Sequence, residues 1–213
     1  MYIPRANEQH DPNALREQLT ARSFGALVVC GDAGVDVHHL PFVLHDAPAP
    51  LGMIHAHVAR SNPVWHQLAA GREAVLIVQG PEHYISPSWY PSKAESGGKV
   101  VPTWNYVAVH AHVTATAVED RAWLARHLTD LVDAHEAGRT PRWRISDGPA
   151  DFMERMAGAI VGIEMPIRRL EGKWKLSQNR SPADRQGVVA ALEADGTPPA
   201  LAMAAAMRRA LGE

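Results

Sequence analysis

The turn Arg60-Ser61-Asn62 carries side chains that could bind a phosphate. It follows an apolar, strand-like segment and precedes Pro63, a residue typical of the first turn of a helix. Because a helix N-terminus exposes unpaired N–H groups and a partial positive charge, this turn could cradle an anion. Helix capping by Ser61 and Asn62 is the alternative, and it is the commoner role of these residue types.

A second candidate segment runs from Lys99 to Tyr106 and directly follows a loop that contains two adjacent glycines. It holds a cation, a hydroxyl, an amide and two aromatic rings within eight residues: Lys99, Thr103, Trp104, Asn105 and Tyr106. Aromatic rings can stack on a planar ligand, and the polar groups can donate to phosphate and carbonyl oxygens. Aromatic packing at the start of a strand is the alternative.

A third candidate segment covers residues 172–181. Strand alternation would place Lys173, Lys175 and Ser177 on one face, with Trp174 and Leu176 on the other. This pattern predicts a groove with polar groups above an apolar base, whereas a solvated edge strand is the alternative.

The histidines suggest a metal site, but the spacing argues against one. His55/His57 and His110/His112 form His-x-His pairs whose rings would share one face of a strand. The chain has neither a Cys pair nor a His-x-x-x-His sequence, so we predict no dedicated metal site. It also lacks the Gly-x-Ser-x-Gly, Walker and Gly-x-Gly-x-x-Gly motifs of common hydrolases and nucleotide-binding proteins, and we assign no catalytic residue.

The elements that must position these segments follow from periodicity. Apolar and β-branched runs predict strands over residues 26–30, 35–44, 51–58, 74–78, 103–118 and 161–176, with tight turns over 31–34 and 46–50. Caps and three-to-four spacing predict helices over residues 12–22, 62–70, 119–136, 149–160, 183–194 and 198–211. Several strands with hairpin-sized gaps suggest an antiparallel barrel.

Composition limits the class of protein. The 213 residues include 21 Lys+Arg and 23 Asp+Glu, a net charge of −2, which excludes a strongly basic nucleic-acid binder. Residues 139–185 alone have ten cations against six anions, which indicates either an anion-binding surface or a solvated basic one. The single cysteine, Cys30, lies in an apolar run and is expected in the core. With no signal peptide and no apolar stretch of about 20 residues, the protein is expected in the cytoplasm, without membrane contact.

Several motifs together resemble the PaiB-type FMN-binding negative transcriptional regulators. They occur in order over nearly the whole chain: Met1-Tyr2-Ile3-Pro4, His39-Leu40-Pro41-Phe42, residues 55–68, Ser86-Pro87-Ser88-Trp89-Tyr90, Val101-Pro102-Thr103-Trp104-Asn105-Tyr106 and Gly172-Lys173-Trp174-Lys175-Leu176-Ser177-Gln178-Asn179-Arg180. The last three motifs are long enough to be specific.

The resemblance implies an α+β fold, a split antiparallel β-barrel with peripheral helices that forms a homodimer with FMN between the subunits. Residues 1–180 would form this domain, and residues 181–213 a helical extension packed on the barrel or the partner. By analogy, the expected FMN contacts are His57, Arg60, Ser61, Asn62, Lys99, Thr103, Trp104, Asn105, Lys175 and Gln178, with Arg60-Ser61-Asn62 and Lys99 at the phosphate. The implied function is negative transcriptional regulation, although no helix-turn-helix supports direct DNA binding. An FMN-dependent oxidoreductase and a non-catalytic flavin sensor or store are the alternatives.

Overall fold

A computed structural model describes residues 1–31, 34–46 and 50–212, which form a seven-stranded sheet and seven α-helices. The strands are β1 Glu8–Gln9, β2 Phe24–Gly31, β3 Gly34–His45, β4 Met53–Ala59, β5 Arg72–Ile85, β6 Thr103–Val118 and β7 Ile160–Lys175. The helices are α1 Pro12–Ala21, α2 Val64–Gln67, α3 Ser92–Glu95, α4 Arg121–Glu136, α5 Ala150–Gly158, α6 Pro182–Asp195 and α7 Pro198–Leu211. Short 3-10 helices cover Arg5–Asn7, Pro87–Trp89 and Ile145–Asp147. None of the described helices is long and apolar enough to cross a bilayer.

The sheet closes on itself. Its order is β1-β7-β4-β3-β2-β5-β6, and β6 also pairs with β7. Six strands therefore form a ring, while β1 pairs with the far end of β7, where Glu8 lies opposite Lys173. The pairs β2–β3, β2–β5, β3–β4 and β4–β7 are antiparallel. This topology confirms the expected split antiparallel barrel with peripheral helices.

The chain divides into two compact units. Unit 1 comprises residues 1–15, 79–109 and 171–213, and unit 2 comprises residues 16–78 and 110–170. In unit 1, apolar residues of α6 and α7, such as Val188 and Met203, pack with Ile85, Val107 and Leu176. The two C-terminal helices thus share a core with strand residues, whereas the expected boundary at residue 180 stays a prediction.

In unit 2, helix α4 packs against the sheet. Asp120 caps it by accepting a hydrogen bond from the Trp123 N–H, and the Trp123 ring lies against Gly162 of β7. In β4, Ile54 and Ala56 are buried, whereas the intervening His55 is only partly so. The outward face of β4 therefore presents its histidines.

Most predicted elements are present, with β6 and α7 at the predicted bounds, but three details differ. The helix expected over residues 62–70 has only the four residues of α2, and β5 is longer than expected. The placement of Cys30 in the core is wrong: alternation along β2 buries Leu27 and Val29 and turns Cys30 outward, where it is exposed. The centres of two predicted turns, residues 32–33 and 47–49, lie outside the described residues.

Candidate functional site

The guanidinium of Arg60, in the turn after β4, makes three contacts with other segments. Nη1 lies 2.5 Å from a carboxylate oxygen of Glu119, Nε donates to the Gly158 carbonyl at 3.0 Å, and Nη2 to that of Ile160 at 3.3 Å. Arg60 and Glu119 also line a cavity of about 520 Å³ between α4 and α5. A phosphate that bound Arg60 here would compete with Glu119.

Asn62 makes the local contacts expected of a turn. Its Oδ1 accepts from the Val64 N–H at 3.0 Å, and its Nδ2 lies 3.2 Å from His38 Nδ1. Ser61 is exposed. Because α2 has only four residues, its N-terminus carries little of the partial positive charge that would attract a phosphate. The structure therefore favours the capping role for Asn62 and leaves Ser61 as an accessible donor.

In unit 1, the second and third segments meet. Lys175 Nζ, near the end of β7, donates to Thr103 Oγ1 at 2.5 Å and to the Trp104 carbonyl at 2.7 Å, both at the start of β6. The Trp104 ring is 54% exposed and lies edge-on to Tyr84, with 6.1 Å between centroids. Lys99 lies exposed in the preceding loop. Strand pairing thus groups an ammonium, a hydroxyl and two exposed aromatic rings.

Two other predicted contact residues face inward. Asn105 is fully buried, with its Nδ2 3.0 Å from Ser177 Oγ and 3.4 Å from Met207 Sδ. Gln178 accepts from the Leu176 N–H at 2.7 Å and donates to the Trp174 carbonyl. In this structure both amides hold unit 1 together, so we assign them positioning roles beside the exposed group.

The exposed group in unit 1 fits a flavin by its chemistry. Trp104 and Tyr84 offer aromatic faces for a planar ring, and Lys175 and Thr103 offer donors for its oxygens. Trp104 has more than half of its surface available for such a contact.

Four histidines of unit 2 form a cluster that the sequence did not predict as a whole. His57 Nδ1 lies 3.0 Å from Nε2 of His127 on α4, and the His55 ring lies 4.3 Å from that of His45 and 4.7 Å from Trp123. His57, expected at the cofactor, thus packs on α4. Strand alternation predicted that His55 and His57 share a face. The three-to-four spacing of α4 places His127 on the apolar face of that helix, whereas no sequence pattern predicts that His45 joins the cluster.

Burial disfavours the charged form of three of these imidazoles, those of His127, His55 and His57. It lowers the pKa of His127 to about 3, with further lowering by the nearby His57, His55 and His45. Burial also lowers the pKa of His55 and that of His57. Among residues 1–31, 34–46 and 50–212, no three His, Cys, Asp or Glu side chains have the arrangement of a metal site.

Part of the basic stretch over residues 139–185 is paired with acidic side chains. Arg139 lies 3.4 Å from Glu136, Arg155 lies 2.8 Å from Asp151, and Arg142 forms an ion pair with Asp133. Such pairing lowers the charge that this part of the surface offers to nucleic-acid phosphates.

Comparison with protein families identifies similar sequences. Residues 1–169 match the family model described as "Putative FMN-binding domain". The chain is 30% identical to Protease synthase and sporulation protein PAI 2 of Bacillus subtilis, over 97% of this chain and 96% of that protein. It is 33% identical to an uncharacterized protein of Aspergillus fumigatus, with coverage of 75% and 76%.

Two solved structures share the fold at low sequence identity. The FAD and heme binding protein of Mycobacterium smegmatis superposes with a TM-score of 0.58 at 15% identity, covering 86% of this chain and 80% of that one. The flavocytochrome Anf3 of Azotobacter vinelandii has the same TM-score at 16% identity, with coverage of 81% and 72%. At these identities the likeness concerns the fold alone.

Proposed function

The chain belongs to the PaiB-type family of FMN-binding domains, and from this premise we propose that it is a flavin-binding negative transcriptional regulator. The flavin is FMN or a close relative, as the family match indicates. The observation that carries the proposal is the similarity to PAI 2, which extends over 97% of this chain. The name of that relative refers to protease synthesis and sporulation, which fits a role in gene control.

The proposed flavin contacts in unit 1 are Lys99, Thr103, Trp104 and Lys175. Trp104 would cover the ring, Lys175 and Thr103 would donate to its polar edge, and the exposed Lys99 would reach the phosphate. Asn105 and Gln178 would act by holding these strands in place.

In unit 2, the proposed contacts are His57, Arg60, Ser61 and Asn62. Ser61 is exposed and would donate to the phosphate, and Arg60 would bind it by exchanging its contact with Glu119. Asn62 would set the shape of the turn. His57 would support the strand that leads into it, through its contact with His127.

When bound, the flavin supplies a ring that accepts and returns electrons. The chain's own residues bind and orient it. Trp104 excludes water from one ring face, and Lys175, fixed by Thr103 Oγ1 and the Trp104 carbonyl, presents a positive charge at a defined place. A fixed cation stabilises any negative charge that develops on the ring nearby.

We propose a homodimer, supported by an apolar face of the sheet in unit 2. Val37 of β3 lies opposite Val28 of β2, which lies opposite Val75 of β5. On the same face Val35 and Val37 are 64% and 51% exposed, and Phe24 is 59% exposed. An exposed apolar patch of this kind typically marks an interaction surface.

An FMN-dependent oxidoreductase is the second candidate, and one observation favours it. Several arginines of the most basic stretch are paired with carboxylates, which weakens the case for a DNA-binding surface. Reduction of the bound flavin by NAD(P)H, with turnover, would support the oxidoreductase. Salt-dependent binding to promoter DNA would support the regulator.

Flavin titration of two variants tests the proposed contacts. Lys99→Ala should weaken binding of FMN more than that of riboflavin, because only FMN carries the phosphate. Trp104→Ala should weaken both, since the ring loses its cover. Fluorescence quenching of the flavin measures both affinities, with exposed residues as matched controls: Lys93→Ala and Trp143→Ala. Equal losses in Lys99→Ala, or full riboflavin affinity in Trp104→Ala, would remove that residue from the site.

A further inference from the structure

Asp184, in the first turn of α6, is a buried carboxylate of unit 1 with 2% of its surface exposed. Burying a charged group is costly unless hydrogen bonds replace those to water. Its Oδ1 accepts from the backbone N–H of Ser92 at 3.0 Å, and its Oδ2 accepts from the Ser92 hydroxyl at 2.7 Å. Asp184 lies beyond residues 1–169, which match the family model, and it is not among the flavin contacts proposed above.

These contacts go beyond the local capping of α6. Ser181 caps this helix by accepting from the Asp184 N–H at 3.1 Å. An acidic residue at this position commonly turns back to the N-cap, whereas the carboxylate of Asp184 reaches a residue 92 positions away. Ser92 is the first residue of α3, and Pro91, at the N-cap of α3, has no side-chain acceptor. Asp184 therefore caps α3 from another helix.

The same helix supports the start of the loop that contains α3. A Cβ added at Gly187 would lie 2.5 Å from the Trp89 carbonyl oxygen and 2.9 Å from Pro91 Cδ, so α6 packs directly on the loop. The guanidinium of Arg180, just before α6, lies 4.4 Å from the centre of the Tyr90 ring, within the range of a cation–π contact. Contacts of three kinds thus fix this part of the loop on the C-terminal segment.

Hydrogen bonds connect α3 with Lys99. The Ser96 N–H donates to the Ser92 carbonyl at 2.9 Å, and the Lys99 N–H donates to the Ser96 carbonyl at 3.3 Å. The next residue, Val100, packs against the apolar core that α6 and α7 form. Lys99 itself is exposed between these two anchored points. The place from which its ammonium extends is therefore set by the contacts of α3 and Val100.

We propose that Asp184 is a positioning residue that gives the flavin site its preference for a phosphorylated flavin, by holding α3 so that Lys99 reaches the phosphate. This inference rests on the proposed phosphate contact of Lys99. A lysine carries a point charge on a flexible stem, and ordering a loop on binding lowers affinity. A loop that is already fixed therefore makes Lys99 more effective. Riboflavin has no phosphate, so its affinity does not depend on where Lys99 lies.

The ratio of FMN affinity to riboflavin affinity, measured by fluorescence quenching of the flavin, tests the proposal. Asp184→Ala should lower this ratio by about fivefold or more, through weaker binding of FMN. Asp184→Asn keeps an acceptor for the Ser92 N–H and a group that can bind the hydroxyl, so it should retain most of the preference. A purely structural role would weaken both flavins equally. An unchanged ratio in Asp184→Ala would overturn the proposal.

A carboxylate at the other end of α6 provides the matched control. Asp195 is exposed and accepts from the N–H of Thr197 at 3.2 Å and from its hydroxyl at 2.6 Å, the same two kinds of contact. Asp195→Ala should leave the ratio unchanged, because it does not touch the loop. A fall equal to that in Asp184→Ala would contradict a specific role of Asp184.

Two further variants show whether Asp184 acts through Lys99. In a Lys99→Ala background, Asp184→Ala should lower the ratio no further, since both changes remove the same contact. An additional fall would overturn the proposal. Ser92→Ala loses only the hydroxyl bond and should lower the ratio less than Asp184→Ala does. If Asp184→Ala does not fold, an unchanged ratio in Ser92→Ala decides against the proposal.

Hydrogen exchange of the flavin-free protein measures the loop directly. In Asp184→Ala, the amides of Ser92, Ser96 and Lys99 should exchange faster by about tenfold or more, whereas Asp195→Ala should leave them unchanged. Unchanged exchange in Asp184→Ala would overturn the positioning role. Faster exchange, together with an unchanged ratio in Lys99→Ala, would instead refute the proposed phosphate contact and with it the effect on flavin preference.

Discussion

Asn105 is fully buried, and its amide contacts the hydroxyl of Ser177 and the sulfur of Met207. Buried polar groups need such partners, because an unsatisfied donor or acceptor costs about 1–3 kcal/mol. Ser177 has a backbone φ of 63°, which places a side chain other than glycine in the left-handed region. This residue therefore combines a favourable hydrogen bond with an unfavourable backbone conformation.

Two substitutions at Ser177 separate these effects. Ser177→Ala loses the hydroxyl and keeps the strained φ, so we expect the free energy of unfolding to fall by about 1–3 kcal/mol. Ser177→Gly loses the same hydroxyl but relaxes the backbone, so it should be more stable than the alanine variant by up to about 1 kcal/mol. Urea unfolding measures both. At the control position Ser96, where φ is −84°, the Ser96→Ala variant should be more stable than the Ser96→Gly variant. The same order at both positions would contradict the argument.

At the scale of elements, α4 is fixed to the sheet by one close approach. A Cβ added at Gly162 of β7 would collide with the ring of Trp123, whose Nε1 donates to Glu164 at 3.1 Å. The glycine therefore lets a large aromatic ring approach the strand closely. The same helix carries His127, so its position also sets the histidine cluster.

Alanine at two glycines of unit 2 tests this packing. Gly162→Ala should lower the free energy of unfolding by about 1–3 kcal/mol, because the added methyl displaces Trp123. Gly158→Ala, at the end of α5, meets nothing within 4 Å and should be neutral or stabilising by up to about 1 kcal/mol. Thermal unfolding followed by Trp fluorescence compares the two. A Gly162→Ala protein as stable as the wild type would show that α4 is not held in this way.

At the scale of the whole molecule, the histidine cluster links stability to pH. The pKa of His127 is about 3 in the folded protein, and an unfolded histidine has a pKa near 6.5. Between these values the unfolded state binds more protons, so stability is full above pH 6.5 and falls as the pH decreases. The lowered pKa of His55 and that of His57 act in the same direction.

Urea unfolding at two pH values checks this linkage. From pH 7.5 to pH 5, His127 alone should lower the free energy of unfolding by about 2 kcal/mol. His127→Gln should be less stable at pH 7.5, because His57 loses its partner, yet less sensitive to acid. His10→Gln, whose ring is 73% exposed, is the control and should keep the wild-type pH dependence. An unchanged pH dependence in His127→Gln would exclude the cluster as its origin.

The apolar face around Val37 predicts the oligomeric state. The wild type should sediment at twice 23.2 kDa, whereas Val37→Glu should sediment as a single chain because a carboxylate cannot be buried there unpaired. Val101→Glu, at a loop residue that is 66% exposed, should leave the mass unchanged. A monomeric wild type, or a Val37→Glu dimer, would contradict the proposed interface.

The sequence alone indicated most of the elements and the family. Periodicity predicted the bounds of β6 and α7, because local side-chain patterns follow strand and helix geometry directly. The PaiB-type fold was implied by the resemblance of long motifs, such as residues 172–180, to that family. Only the tertiary structure decided which side chains are covered. Asn105 is buried against Ser177 and Met207, and His45 lies beside His55, because burial and contacts depend on partners distant in the chain.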